Sequence, residues 1–122
     1  MTTYLNLEDI LARVVDTGGV VRDAGLLEAA VARPMASVFG EDAYPSLATK
    51  AAALLHSLAQ NQALMDGNKR LAMASALAFL RLNDHRSAAT QDELFDLNIS
   101  MSTGLDDVTV IGSRLKVRPR PQ

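Results

Sequence analysis

Apolar positions recur along this chain with the spacing of helices. Leu7, Ile10, Leu11, Val14 and Val15 follow the i, i+3, i+4, i+7, i+8 stripe of a helix packed on one face. Asn6 is placed to cap it, Glu8 and Asp9 complement the positive end of its dipole, and Gly18-Gly19 stops it. The Val20-Val21 pair reads as extended. Asp23 is the expected N-cap of a second helix, with Leu26, Leu27, Ala30 and Val31 inward, and Pro34 either interrupts that helix or opens the next one. The stretch from Gly40 to Pro45 reads as a loop, because Tyr44 precedes a proline and is steered from helical dihedrals. Ser46 is expected to cap a third helix, through Asn61, with Leu47, Ala51, Leu54, Leu55 and Leu58 on one face.

A loop from Leu64 to Asn68 then leads into a helix from Lys69 to Leu82. Its apolar residues run all the way round from Leu71 to Phe79, which predicts the central, fully enclosed helix. Asn83-Asp84 ends it. Thr90 and Glu93 form a capping box opening a helix with Leu94, Leu97 and Met101 inward. Gly104 closes that one, and Asp106 or Asp107 starts a weaker helix through Val108 and Ile111. The pattern predicts one all-α domain over 1–113, a compact bundle around a central buried helix. The basic, proline-broken tail of 114–122 is expected to fray.

Bulk properties narrow the class. A chain of 122 residues, 48% hydrophobic and 21% charged, is long enough to bury a core and too apolar to stay disordered. A net charge of -2 argues against gripping nucleic acid through bulk charge. With no cysteine, disulfides and thiolate chemistry are excluded. The run from Leu71 to Leu80 is far short of the ~20 residues a membrane span needs. No secretory leader is predicted, so the cytoplasm is the expected location.

One segment carries chemistry: Asn61-Gln62-Ala63-Leu64-Met65-Asp66-Gly67-Asn68-Lys69-Arg70. It falls where one helix ends and an apolar helix begins. Backbone N–H groups at a helix start are unpaired, and the dipole adds about half a positive charge there. Lys69 and Arg70 add two full charges at the same end, where cations are ordinarily disfavoured. An anion such as a phosphate would reconcile them. Gly67 permits close backbone approach, and Asp66 could hold a Mg²⁺ that bridges phosphate oxygens. On spacing alone, the same residues also suit an ordinary surface turn followed by two solvated cations.

The same residues resemble a known family. Asp66-Gly67-Asn68-Lys69-Arg70, preceded by Asn61 and Leu64, is similar to the signature of Doc ("death on curing") proteins in the Fic/Doc superfamily, His-x-Phe-x-Asp-x-Asn-Lys-Arg. The resemblance extends to the segment from Arg22 to Ala30, to Arg33-Pro34, and to Tyr44-Pro45 leading into the run from Lys50 to His56. It implies the Fic/Doc-like helical fold, with Asp66 as metal ligand and Gly67, Asn68, Lys69 and Arg70 around the phosphates of ATP with Mg²⁺. It further implies a toxin that moves the terminal phosphate of ATP to a threonine of elongation factor Tu, held in check by a Phd-like antitoxin. Lys69 stands where the AMP-transferring Fic branch has glycine, and Met73 where that branch has a second arginine. AMP transfer is therefore the lesser variant, and a catalytically dead module that binds an antitoxin is another.

One departure matters. The family's catalytic histidine falls at position 62, where this chain has Gln62, and its phenylalanine falls at Leu64. Histidine titrates near neutrality and can accept the proton of an attacking hydroxyl. Glutamine cannot. His56 and His85 are the two histidines of the chain, and neither is placed by the pattern to replace that base.

Overall fold

Helix starts in this protein are fixed by short polar side chains. In the computed structural model, which describes residues 1–104 and 106–121, the elements run α1 (Leu7–Asp16), α2 (Ala24–Ala32), a 3₁₀ turn (Arg33–Met35), β1 (Ser37–Val38), β2 (Glu41–Asp42), α3 (Leu47–Gln60), α4 (Asn68–Leu82), β3 (His85–Ser87), α5 (Gln91–Ser102), α6 (Val108–Arg114) and β4 (Val117–Pro119). Asn6 and Asp9 cap α1 reciprocally, each accepting the other's backbone N–H at 2.9 Å. Asp23 caps α2, Ser46 and Thr49 box α3, Thr90 and Glu93 box α5, and Asp107 caps α6. Each cap satisfies donors that the first helical turn would otherwise leave unpaired. The all-α class holds, and among the described residues no helix is long and apolar enough to cross a membrane.

The enclosed helix is α3 rather than α4. Lys50, Ala51, Ala52, Ala53, Leu54 and Leu55 are all buried, and α3 packs on α4, α6 and the 3₁₀ turn. On α4, Leu71, Ala72, Ser75, Ala76, Phe79 and Leu80 face the core, but Met73, Ala74, Leu77 and Ala78 are only half-buried. An alanine-rich helix has no polar face to mark its outer side, so the pattern overstated its enclosure. Val15 likewise lies on the outside of α1, at 77% exposure, because i+8 overshoots the stripe.

Two short sheets replace irregular segments. Between the 3₁₀ turn and α3, Ser37 pairs with Asp42 and Val38 with Glu41, joined by Phe39 and Gly40 at φ 52° and 82°. Two left-handed residues give the turn that matches strand twist, and a phenylalanine is a weak sequence signal for it. Buried Lys50 anchors the hairpin, donating to Asp42 Oδ2 at 3.0 Å and to the Tyr44 carbonyl at 2.6 Å. Burial pulls the Lys50 pKa down, but the bonds to Asp42 and Tyr4 outweigh it and hold the ammonium above its ordinary value.

The tail expected to fray forms β4 instead, pairing antiparallel with β3 in the register His85 to Pro119, Arg86 to Arg118 and Ser87 to Val117. Leu115 is fully buried, and Lys116 donates to Glu93, whose carboxyl it holds down to about 2. Leu115, Lys116, Val117 and Arg118 alternate apolar and basic with the period of a strand. Pro119 is tolerated because it closes a short edge strand. Gln122 lies outside the described residues.

Arg33 ties the 3₁₀ turn to α3. Its Nη1 donates to His56 Nδ1 at 2.8 Å and Ser57 Oγ at 3.0 Å, and its Nε donates to the Tyr44 hydroxyl at 3.0 Å. Burial, and then the Arg33 charge, hold the His56 imidazole below its ordinary value of 6.5. The unfolded chain therefore takes up a proton near pH 6.5 that the folded one resists. This contribution to stability is complete above that pH and declines as pH falls below it. Denaturant midpoints should decrease as the pH is lowered from 6.5 towards the range where carboxylates begin to titrate, and His56→Gln should flatten that decrease. An identical slope in the variant would contradict the assignment.

Candidate functional site

The site begins where α3 stops. Asn61 is its last cap, and Gln62 at φ 56° takes the left-handed conformation that turns the chain away from the helix. The Asn61 side chain works in both directions, Nδ2 donating to the Leu26 carbonyl at 2.9 Å and Oδ1 accepting from Ala63 N–H at 3.2 Å. The extended segment predicted at Val20-Val21 runs alongside. Val21 bridges Leu64, Met65 N–H donates to the Val20 carbonyl at 3.0 Å, and the N–H groups of Arg22 and Asp23 share the Ala63 carbonyl at 2.7 and 3.0 Å. Buried Ala63 and Leu64 pin the strand from below. The Arg22 guanidinium clasps the Gln62 carbonyl, with Nε at 2.9 Å and Nη2 as a second donor.

The loop then closes onto α4. Asn68 Oδ1 accepts from Leu64 N–H at 2.9 Å, and its Nδ2 donates to the Leu64 carbonyl at 3.1 Å. Gly67 occupies the N-cap at φ 82°, and a Cβ there would stand 2.8 Å from Nη2 of Arg70. The left-handed dihedral favours glycine there, and a Cβ would in addition make the flexible end of Arg70 shift. Asp66 Oδ1 accepts the N–H of Gly67 at 2.8 Å. No side chain caps α4, in contrast to the other described α-helices, so the N–H groups of Asn68, Lys69 and Arg70 face outward unsatisfied by a cap.

A recess of about 570 Å³ opens at this helix start. Gln62, Asp66, Gly67, Asn68, Lys69 and Arg70 all line it, joined by Phe95 and Asn98 from α5. The six residues singled out in the sequence are thus brought together. Lys69 and Arg70 are exposed, and neither pairs with a carboxylate among the described residues; Lys69 donates instead to Ser102 Oγ on α5. One expectation changes. The Asn68 amide is consumed in holding Leu64, which leaves its backbone N–H as the part free to meet a ligand.

Sequence reasoning missed Phe95, Asn98 and Ser102. Phe95 is 64% exposed, off the inward stripe of Leu94, Leu97 and Met101, and an exposed aromatic on an otherwise amphipathic helix was the available signal. The histidines stay away, as anticipated. His56 opens on a different cleft with Gly104 and Asp106, and His85 Nδ1 lies 2.7 Å from the Asn83 carbonyl. Position 62 is the left-handed residue just beyond the end of the helix that carries His56.

These features define a protein with an uncapped, cation-flanked helix start that opens on a recess at the mouth of a helix hairpin. A family model described as Fic/DOC family matches residues 2–80, and the chain belongs to the Fic/Doc family. It is also similar to the Toxin Doc of Mycolicibacterium smegmatis, 59% identical over 95 residues that cover 75% of this chain and 73% of that relative.

Proposed function

We propose that this chain is the toxin of a toxin–antitoxin pair, built to transfer the terminal phosphate of ATP to a threonine of elongation factor Tu and disabled or strongly impaired in that step by Gln62. The observation that carries the reading is the uncapped start of α4, flanked by two cations without carboxylate partners. Fic/Doc proteins are in general transferases, and the relative above is named as a toxin. A target in the translation apparatus places the action in the cytoplasm.

The N–H groups of Asn68, Lys69 and Arg70 would hold phosphate oxygens, with the two side chains adding charge. Gly67 lets the chain approach, and Asp66 is the one carboxylate in the lining. That donor set fits Mg²⁺, which takes few carboxylates and completes its shell with phosphate and water; when bound it neutralises charge on the transferred group. Position 62 faces the same recess, where the threonine hydroxyl must lose its proton. The Gln62 amide can hydrogen-bond that hydroxyl but cannot take the proton, a loss worth ~10²–10⁴-fold in rate. Lys69 in place of glycine, and Met73 in place of a second arginine, favour phosphate over AMP transfer.

The antitoxin has a candidate seat elsewhere. A cleft of about 480 Å³ has an apolar floor of Ala74, Leu77, Ala78 and Leu94 and a rim of Arg13, Arg81, Arg86 and Arg120. None of those arginines forms an ion pair among the described residues, in a chain whose net charge is -2. An acidic amphipathic helix, such as the folding C-terminal segment of a Phd-like antitoxin, complements both features.

Two measurements test this. Gln62→His should restore growth arrest and magnesium-dependent addition of a phosphoryl group to elongation factor Tu, read by mass spectrometry. Addition of AMP would select the Fic-type alternative, and antitoxin binding without any ATP binding would leave a non-catalytic binding module. Reversing charge with Arg81→Glu and Arg86→Glu together should weaken cognate antitoxin binding by roughly tenfold or more. An unchanged affinity would remove the cleft from the partner's footprint.

A further inference from the structure

Left-handed backbone at a residue other than glycine is strained and persists only where its surroundings enforce it. Gln62 at φ 56° is such a residue, and it stands at the position from which a base would serve the recess. Its neighbours are held on their own account: Ala63 by Arg22 and Asp23 N–H and by the Asn61 side chain, and Leu64 by the Asn68 amide and the Val21 bridge. The carbonyl of Gln62 itself is held by a side chain, through two donors of one guanidinium.

We propose that Arg22 is a positioning residue, whose guanidinium clasps the carbonyl of residue 62, keeps that residue left-handed and so aims its side chain into the phosphate recess. The fork geometry matters, because two donors of one rigid plane that converge on a single carbonyl oxygen restrict its direction more than one donor does. Arg22 is itself placed by Asp23, whose carboxylate accepts Gly25 N–H at 2.9 Å and starts α2 immediately after it. Its guanidinium has no carboxylate partner among the described residues, so the clasp is its one assigned bond. Arg22 lies 40 residues from Gln62 in the chain and does not line the recess, which separates this role from phosphate binding.

The catalytic part of the inference rests on the phosphotransferase reading, whereas the conformational part does not. Carbon chemical shifts and three-bond amide couplings of residue 62 report its φ directly. In Arg22→Gln they should move away from the left-handed range while the signals of Asn68, Lys69 and Arg70 stay in place. Arg22→Lys should fall between, and it serves alone should Arg22→Gln not fold. In a Gln62→His background, Arg22→Gln should lower kcat by about 10- to 100-fold with KM for ATP unchanged. Unaltered shifts at residue 62 in the variants would overturn the proposal, as would equal losses in kcat and ATP affinity. Failure of Gln62→His alone to transfer phosphate would instead count against the proposed function and leave the shift measurement to decide the role of Arg22.

Discussion

An α-helix whose first turn is left without a side-chain cap, and then given two cations, is electrostatically unsatisfied by itself. At the start of α4 the dipole, the exposed N–H groups of Asn68, Lys69 and Arg70, and the charges of Lys69 and Arg70 all have the same sign. The other α-helices carry a polar side chain at that point. Gly67 makes the difference, supplying the left-handed turn without a side chain to cap the helix or crowd Arg70. On the proposed function a polyanion would resolve the arrangement, and the surrounding structure frames this one helix end.

That frame is rigid for reasons of packing and hydrogen bonding. The hairpin of α3 and α4 is the centre of the domain, and its connecting loop is laced by Asn61, by Asn68 and by the extended strip of Val20 to Asp23. Buried Ala63 and Leu64 add apolar contact beneath it. A loop held this way keeps its geometry before any ligand arrives, so binding need not supply the ordering free energy. Leu64 in place of the family's phenylalanine is compatible with this, since it fills the core position fully. Gln62 keeps its place in this frame, its carbonyl held by Arg22.

Much of this was legible in the sequence because it is local. Caps at Asn6, Asp23, Ser46, Thr90 and Asp107 are short-range hydrogen bonds with defined residue types. The cluster from Asp66 to Arg70 is contiguous, so its chemistry could be argued before its geometry was known. What escaped depends on contacts between distant segments. The pairing of Val117 with Ser87 and the clasp of Arg22 on Gln62 join residues 30 or more apart, where spacing carries no signal. Enclosure was misjudged for the same reason: α4 is apolar all round, but what covers each face is decided by α1, α3 and β3. The bonds of the Asn68 amide to Leu64 are likewise invisible without coordinates.

The most direct test of the central claim is an amide-resolved NMR titration of the unaltered chain with ATP and magnesium, repeated with inorganic tripolyphosphate. The N–H signals of Asn68, Lys69 and Arg70 should shift saturably with both ligands. Signals that stay fixed at millimolar ATP, or that shift only at the arginine-rimmed cleft on the outer face of α4, would contradict a phosphate cradle at this helix start.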